Sequence, residues 1–193
     1  MVGIFPLQPK SSMADRLFLG VPLSADATEQ LSAALAKVFP HGLPGRPVPP
    51  ANWHLTLRFL GDTSAEVAAR VRGEVAAGGL GLPFGITLGE LGAFPRPEHA
   101  AVVWIGVSEG EEALIRLAEA VEGRVRRAGV QSETRAFSPH LTLARLRHPA
   151  NLSKALSLAV PPRIPHLVGE VVLFRSHLGA GEPRYEVVER FPL

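Results

Sequence analysis

The tetrapeptide His-Leu-Thr-Leu stands at His54–Leu57 and again at His140–Leu143, an offset of 86 residues from 54 to 140. The segments FLGV at Phe18–Val21 and WIGV at Trp104–Val107 are similar to each other and share that offset. Two matches in one register predict that a strand–helix–strand unit is duplicated in the chain. Each copy then contributes one histidine and one threonine.

Strand alternation decides where these polar side chains point. In the first copy, His54 and Thr56 lie on one face of the predicted strand, whereas Leu55, Leu57 and Phe59 lie on the other. Because the apolar residues need a core, the face with histidine and threonine is left to water or to a cleft. The second copy follows the same alternation.

The rest of the chain repeats the order strand, helix, strand, helix, strand. Helices are predicted where a Ser or Thr cap precedes apolar residues at helical spacing, and strands where apolar residues alternate or form short runs. The predicted strands are 16–21, 53–60, 84–91, 101–107, 140–146, 168–174 and 184–191, and the predicted helices follow Ser24, Thr63 and Ser108 and span 151–158. Together they indicate an α+β fold, a bilobal pseudo-twofold duplication in which two mostly antiparallel sheets form a central cleft with helices on the outer faces.

Composition limits the class of protein. The chain of 193 residues is 46% hydrophobic, enough for one substantial core or for two small lobes that share a core. Residues 1–12 are predicted to be a flexible N-terminal tail, and 13–193 a single bilobal domain. The absence of cysteine excludes disulfides and thiolate chemistry and is compatible with a reducing cytoplasm, so we predict a cytoplasmic location.

Charge and hydropathy also exclude some classes of partner. No apolar run reaches the roughly 18–20 residues that span a bilayer, so no membrane partner is expected. The net charge of +2 implies no general surface for polyanions. With no obvious hydrophobic seam, we predict a monomer.

Two imidazoles that approach one point suit the hydrolysis of a phosphodiester. Because the unperturbed pKa of histidine is about 6.5, one ring can accept a proton from water while the other protonates the leaving alkoxide. The two hydroxyls can then hold the non-bridging oxygens, where negative charge develops. This scheme requires no metal.

Less specific interpretations remain for the motif and for other histidines. A single His-x-Thr in a strand is usually an ordinary surface feature, but two copies on matching repeats are harder to explain that way. A zinc site is not favoured, because the chain has no HExxH, no His-x-His and no cysteine. The other histidines are interpreted as incidental surface residues: His41, His99, His148, His166 and His177.

The doubled His-x-Thr resembles the signature of the two-histidine phosphoesterase superfamily. The wider match, over roughly residues 13–193, is similar to the bacterial and archaeal RNA 2',3'-cyclic phosphodiesterases, also called 2'-5' RNA ligases. It rests on the segments Arg16–Phe18, Asn52–Gly61, Val102–Gly106 and Phe137–Arg145. The resemblance implies an enzyme that opens a terminal 2',3'-cyclic phosphate on RNA without a metal or other cofactor and leaves a 2'-phosphate. Some members also join RNA ends through a 2'-5' linkage.

The resemblance also implies roles for the four motif residues. His140 activates water, His54 protonates the departing 3'-oxygen, and Thr56 and Thr142 bind phosphoryl oxygens. The two motifs are nearly equivalent, so the residues alone leave the order of acid and base open.

Substrate-binding candidates surround the motifs. Arg145 lies five residues past His140, where the family often has a basic residue near the nucleotide, although a salt bridge at a strand end is the alternative. Arg58 shares strand parity with His54 and is expected to reach the RNA. A stacking surface for the terminal base is expected from Phe94, Tyr185 and Phe18. Phe94, in a turn flanked by glycine and proline, is the favoured residue of the three, whereas Phe18 is more readily interpreted as part of the core.

Two other functions remain possible from the sequence. One is a sister enzyme that acts on a small 2'-5' oligonucleotide or a cyclic nucleotide. A basic face near Arg58, Arg70 and Arg96 would favour RNA, whereas a closed pocket would favour a small molecule. The other is a non-catalytic protein that binds RNA ends, which does not require a matched acid–base pair.

Overall fold

A computed structural model describes residues 14–177 and 183–193, so the predicted tail at 1–12 lies outside the described residues. Strands and helices alternate through most of the chain, in the order that the repeat predicted. The elements are β1 Asp15–Pro22, α1 Ala25–Val38, β2 Arg46–Pro47, β3 His54–Thr63, α2 Ala65–Ala76, β4 Phe84–Phe94, β5 Ala100–Glu109, α3 Glu111–Arg127, β6 His140–Ala150, α4 Ser153–Leu158, β7 Ile164–Val168, β8 Glu170–His177 and β9 Arg184–Pro192. Within these residues no helix has the length and hydropathy to cross a membrane.

Serine side chains cap the first two helices. The Ser24 hydroxyl accepts a hydrogen bond from the Ala27 N–H at 3.2 Å, as the sequence predicted. The second cap is Ser64, one residue later than predicted, and it accepts from the Val67 N–H at 3.3 Å. Both helices therefore begin where a hydroxyl satisfies an N–H that has no partner inside the helix.

The predicted cap of α3 is wrong. Strand β5 continues through Ser108 to Glu109, and the helix begins after Gly110, whose φ of 80° is in the left-handed region. The Ser108 hydroxyl instead donates to the Thr87 carbonyl of β4 at 3.3 Å. Ser108 therefore remains part of β5, bonded to the neighbouring strand β4, and does not cap the helix.

The predicted mostly antiparallel α+β fold is confirmed, and its two halves are joined into one continuous sheet. The strand order is β7-β4-β5-β6-β3-β1-β8-β9, and β2 pairs with β6. Strands β3 and β6, which carry the two motifs, meet at one residue pair, Leu55 with Leu141. The repeats also exchange their third strands, since β4 pairs with β5 and β8 pairs with β1.

The helices and the core lie on one side of this sheet. Helix α3 packs against β3, α1 against β7, and α2 against α3. Leu55, Leu57, Leu141 and Leu143 are all buried in that core. The predicted alternation therefore holds within both motifs, and the histidines and threonines lie half-buried on the opposite side, which we call the cleft face.

A β-bulge follows each motif. In both repeats the strand register shifts just after the threonine, so that one extra leucine is accommodated in the motif strand. The pairs that flank the bulges are Gly20–Thr56 and Leu19–Arg58 in the first repeat, and Trp104–Thr142 and Val103–Ala144 in the second. Beyond each bulge the alternation of side chains is reversed.

The reversal makes two predictions wrong. Arg58, expected on the cleft face, points to the helices, where its Nε lies 2.6 Å from Oε2 of Glu122 on α3. Phe59, expected in the core, is 55% exposed, and its ring centroid lies 5.9 Å from that of Phe18. Because of the bulge, the ring of Phe59 lies on the cleft face, where the guanidinium of Arg58 was expected.

His166 is buried in β7, so its interpretation as a surface residue is wrong. It points inward with Ile164 and Val168 and is 7% exposed. Neither ring nitrogen has a hydrogen-bond partner within the described part of the chain. Burial lowers the pKa of His166, and the nearby Pro22 carbonyl offsets only part of that effect.

We expect the burial of His166 to make stability depend on pH. Above pH 6.5 the ring is neutral in both states, but at lower pH the unfolded chain takes up a proton before the folded protein does, so the free energy of unfolding decreases. Replacing His166 with leucine should make the free energy of unfolding decrease less between pH 8 and pH 5, measured by urea unfolding. The exposed His148→Leu variant is the control. An unchanged pH dependence in His166→Leu would contradict this account.

Candidate active site

The two motifs meet where β3 crosses to β6. Because Leu55 and Leu141 are partners in an antiparallel pair, the residues on either side of each leucine gather around the same point. Those residues are His54, Thr56, His140 and Thr142, and all four are half-buried on the cleft face. The structure thus brings together the four residues that the sequence singled out.

Each histidine is oriented by its own strand. The Nδ1 of His54 lies 2.7 Å from the Asn52 carbonyl oxygen, and the Nδ1 of His140 lies 2.8 Å from the Ser138 carbonyl oxygen. A carbonyl oxygen only accepts, so each neutral ring carries its proton on Nδ1 and leaves Nε2 as the acceptor. The two imidazoles therefore have the same tautomer and present equivalent nitrogen atoms.

The pKa values of both histidines are lowered. The pKa of His54 is lowered to about 4; burial is the main cause, the Asn52 carbonyl opposes it, and the positive charges of His140 and Arg145 add to the lowering. Burial and the charge of Arg145 also lower the pKa of His140, against the Ser138 carbonyl. At neutral pH both rings are neutral in the free protein.

Aromatic rings enclose His54. Its ring centroid lies 4.7 Å from Phe18, 5.7 Å from Phe174 and 5.2 Å from Tyr185, which approaches edge-on. Phe18 is 2% exposed and stacks on Phe174 at 5.0 Å. The expectation that Phe18 stacks on a base is wrong, because its faces are covered; it packs against the His54 ring instead. Tyr185 lies at the site, half-buried.

A second pair of rings encloses His140. Phe94 approaches it edge-on with centroids 4.9 Å apart, and Trp104 lies 6.4 Å away. Gly92 makes room for the indole, because a Cβ there would lie 2.2 Å from the Trp104 ring. Sequence reasoning placed Phe94 in this region but did not select Trp104, although the FLGV and WIGV repeat contains it.

Arg145 and Phe59 occupy equivalent positions, each five residues past a motif histidine and just beyond a bulge. Arg145 is exposed. Its charge adds to the lowering that burial causes in the pKa of both motif histidines, and it opposes the rise that burial causes in the pKa of Tyr185, so its guanidinium faces the cleft. It makes no salt bridge or hydrogen bond with any residue that the structure describes. The alternative interpretation, in which Arg145 forms a salt bridge at the end of its strand, is therefore not observed among these residues. Sequence reasoning missed Phe59 because plain alternation placed it in the core.

The side chains at the site are suited to acid–base chemistry. It combines two imidazole nitrogens, two hydroxyls and one cation, which together can transfer protons and bind an anion. Among residues 14–177 and 183–193, no three His, Asp or Glu side chains lie close enough to hold a metal ion.

Known proteins are similar over most of this chain. The sequence model of the 2'-5' RNA ligase superfamily matches residues 45–180. An Escherichia coli protein named RNA 2',3'-cyclic phosphodiesterase is 34% identical over 184 residues, which cover 94% of this chain and 98% of the relative. A protein of the same name from Aeropyrum pernix is 42% identical over 117 residues, which cover 61% of this chain and 66% of the relative.

Solved structures show the same fold. The crystal structure of Escherichia coli LigT complexed with 3'-AMP has a TM-score of 0.76 at 33% identity, over 93% of this chain and 98% of that one. A crystal structure of a Thermus thermophilus protein has a TM-score of 0.75 at 31% identity, over 92% of this chain and 97% of that one. The likeness therefore extends over both repeats.

Proposed function

The chain belongs to the 2'-5' RNA ligase superfamily, and we propose that it hydrolyses a terminal 2',3'-cyclic phosphate on RNA to a 2'-phosphate. The relatives from Escherichia coli and Aeropyrum pernix are named for this activity. The observation that carries the proposal is the junction of β3 and β6, where two histidines of equal tautomer and two threonines surround one point.

The reaction is an in-line displacement at phosphorus. A water oxygen forms a bond to phosphorus, the bond from phosphorus to the 3'-oxygen breaks, and the 2'-oxygen keeps the phosphate. In the order that the family resemblance implies, Nε2 of His140 takes the proton from water and His54 gives a proton to the 3'-oxygen. The pseudo-twofold relation of the motifs supports base and acid on opposite sides of the phosphorus. The hydroxyls of Thr56 and Thr142 donate to the non-bridging oxygens.

His54, the proposed acid, must gain its proton when the substrate binds. Burial holds the pKa of His54 at about 4 in the free protein, so this ring is neutral before the substrate arrives. The phosphodiester brings a negative charge between the rings, and an opposite charge at close range raises the pKa of an imidazole. We therefore expect one proton to be taken up as the RNA end binds.

We expect different pH profiles for the free enzyme and the complex. Because the pKa values of His54 and His140 are lowered in the free protein, the maximum of kcat/KM should lie below pH 6.5. The maximum of kcat should lie at a higher pH, since the bound phosphate raises both pKa values. Initial rates on a 2',3'-cyclic phosphate from pH 4 to pH 9 would measure both profiles. A kcat/KM maximum above pH 7.5 would contradict the lowered pKa values.

Residues other than the four motif residues are proposed to contact the rest of the terminal nucleotide. Arg145 faces the cleft with no partner in the described residues, so its guanidinium is available for phosphate oxygens or for the base. Phe59 is an exposed aromatic ring on the cleft face, and stacking of the terminal base on such a ring contributes roughly 1–3 kcal/mol. The rings of Phe94 and Tyr185 stand roughly perpendicular to the histidine rings that they contact, and they mainly hold those rings in place.

The proposed function is tested with an RNA oligonucleotide that ends in a 2',3'-cyclic phosphate, offered to the purified protein in the presence of a chelator. The expected product carries a 2'-phosphate, which a 3'-specific phosphatase does not remove. A 3'-phosphate product or a requirement for added divalent metal would contradict the mechanism. Binding without turnover would identify a non-catalytic RNA-end binder, and faster cleavage of a 2'-5' oligonucleotide would identify the sister activity. Addition of an RNA with a 5'-hydroxyl end tests 2'-5' joining.

The monomeric state and the cytoplasmic location are also part of the proposal. They rest on the low net charge and on the absence of cysteine from the sequence. Light scattering of the purified protein and fractionation of cells would test them.

A further inference from the structure

Glu90 lies on the cleft face, two strands away from His140. In the register of the sheet, Glu90 of β4 is opposite Gly106 of β5, and Gly106 is opposite His140 of β6. A Cβ on Gly106 would lie 3.0 Å from the Trp104 ring, 3.4 Å from Cβ of Glu90 and 3.6 Å from its Oε2. The carboxylate of Glu90 and the indole of Trp104 are therefore neighbours on the same face, because the glycine between them has no side chain.

The indole of Trp104 lies flat over the sheet. A Cβ on Gly92 would lie 2.2, 2.4 and 2.7 Å from Cζ2, Cη2 and Cε2 of the ring, so the ring covers this glycine with one face. Its other face is directed away from the sheet, into the cleft, and the residue is half-buried. An aromatic face in such a position is a surface on which an unpaired base stacks.

The carboxylate of Glu90 is available to accept hydrogen bonds. The side chain is exposed, and it makes no hydrogen bond or ion pair with any residue in the described part of the chain. A negative charge near a phosphodiester site repels an RNA chain unless the carboxylate contacts a group that donates. In RNA the donors are the N–H groups of the bases and the 2'-hydroxyls. Because the indole lies beside the carboxylate, a base stacked on Trp104 presents its edge to Glu90.

The position of this pair in the sheet indicates which base it contacts. In the strand order, β4 and β5 lie on the far side of β6 from β3, so Glu90 and Trp104 flank His140. Phe59, which is proposed to stack on the terminal base, lies on β3 and contacts the ring that packs on His54. The two aromatic surfaces are therefore on opposite sides of the phosphate, and the surface at Trp104 is left for a second base.

We propose that Trp104 and Glu90 form a second nucleobase subsite, which binds the base before the terminal nucleotide and prefers guanine. The base stacks on the indole, and its N1–H and 2-amino group donate to the two carboxylate oxygens. Adenine, cytosine and uracil have no such pair of adjacent donors. The inference rests on the proposed function and adds a substrate class to it, an RNA end with guanine before the terminal nucleotide.

The test compares two dinucleotides that end in a 2',3'-cyclic phosphate, GpA and IpA. Hypoxanthine, the base of inosine, keeps the shape and the N1–H of guanine but lacks the 2-amino group. The unchanged protein should have a kcat/KM about tenfold higher for GpA than for IpA, which corresponds to roughly 1.4 kcal/mol. Glu90→Gln should reduce this ratio to about one, because the amide nitrogen is a donor and cannot accept from the base.

Further substrates separate the possible sources of the contact. ApG and ApI with the same cyclic end determine whether the terminal base occupies the subsite instead, in which case the Glu90-dependent preference for guanine appears at that position. A 2'-deoxyguanosine in the first position of GpA should keep the preference, since the base and not the ribose is bound.

Two further variants separate stacking, hydrogen bonding and general effects of charge. Trp104→Leu should lower kcat/KM for GpA and IpA by the same factor relative to 2',3'-cyclic AMP, because stacking does not distinguish the two bases. Glu119→Gln removes an exposed carboxylate from α3, on the helix side of the sheet, and is the matched control that should keep the ratio.

Other results would overturn the proposal. A ratio of about one at both positions with the unchanged protein would show that guanine is not recognised, and a ratio that Glu90→Gln leaves unchanged would show that Glu90 is not the acceptor. Loss of the preference with the 2'-deoxy substrate would assign the contact to a ribose hydroxyl. A protein that opens none of these substrates would instead contradict the proposed function, so the two failures are distinguishable.

Discussion

Replacing either His54 or His140 with alanine is expected to lower kcat for a 2',3'-cyclic phosphate on RNA by roughly 10²–10⁴-fold. Each ring is proposed to move one proton in the same displacement. Single-turnover rates with saturating RNA measure the effect on the chemical step without a contribution from product release. A single variant that keeps more than a tenth of the rate would contradict the acid–base assignment.

The double variant distinguishes an acid–base pair from two independent residues. Groups that act together in one step are not additive, so His54→Ala combined with His140→Ala should be little worse than either change alone. His99→Ala and His148→Ala alter exposed histidines and should leave the rate unchanged. Because His54 packs among Phe18, Phe174 and Tyr185, its removal also leaves a cavity. His54→Gln and a thermal melt separate lost chemistry from lost packing.

The sequence predicted the motif strands well because their signal is local. Alternation and an exact repeat placed His54 and His140 on the face opposite the leucines, and the structure has them there. The reversal after each motif is not local, because a bulge depends on the register with β1 or β5. Arg58 and Phe59 were therefore assigned to the wrong faces, although Arg145 in the second repeat occupies the position equivalent to Phe59.

The oversight of Trp104 also comes from pairing with a distant strand. The FLGV and WIGV match aligned Gly20 with Gly106, but Gly20 is opposite Thr56, whereas Trp104 takes the equivalent place opposite Thr142. The sequence alignment of the two repeats therefore differs by two residues from their structural alignment, and for this reason the position of Trp104 beside His140 was not predicted.

Strand β7 was missed for a different reason. No strand was predicted between the helix at 151–158 and the strand at 168–174, but Pro165 lies within β7, which forms one edge of the sheet. An edge strand tolerates the missing N–H of proline. The buried His166 follows Pro165 directly, so the same misinterpretation placed it on the surface.

Replacing Thr56 or Thr142 with valine is expected to lower kcat by roughly 10²-fold, because each change removes a donor aimed at the phosphoryl oxygens. Valine keeps the shape and the preference for a strand, so the fold and the histidine positions should persist. KM should change much less than kcat, since the hydroxyls interact most strongly where charge develops in the transition state. A loss of RNA affinity with an unchanged kcat would contradict this role.

The threonine of the same strand that lies outside the site supplies the control. Thr63 ends β3, is 5% exposed and donates its hydroxyl to the Gly61 carbonyl at 3.0 Å. Thr63→Val should therefore reduce the free energy of unfolding by about 1 kcal/mol and leave kcat unchanged. Thr56→Val and Thr142→Val should have the opposite pattern, a small change in stability and a large loss of rate. If the threonines served only to complete the strands, all three variants would behave like Thr63→Val, so urea unfolding and single-turnover rates on the same three proteins decide between a structural and a catalytic hydroxyl.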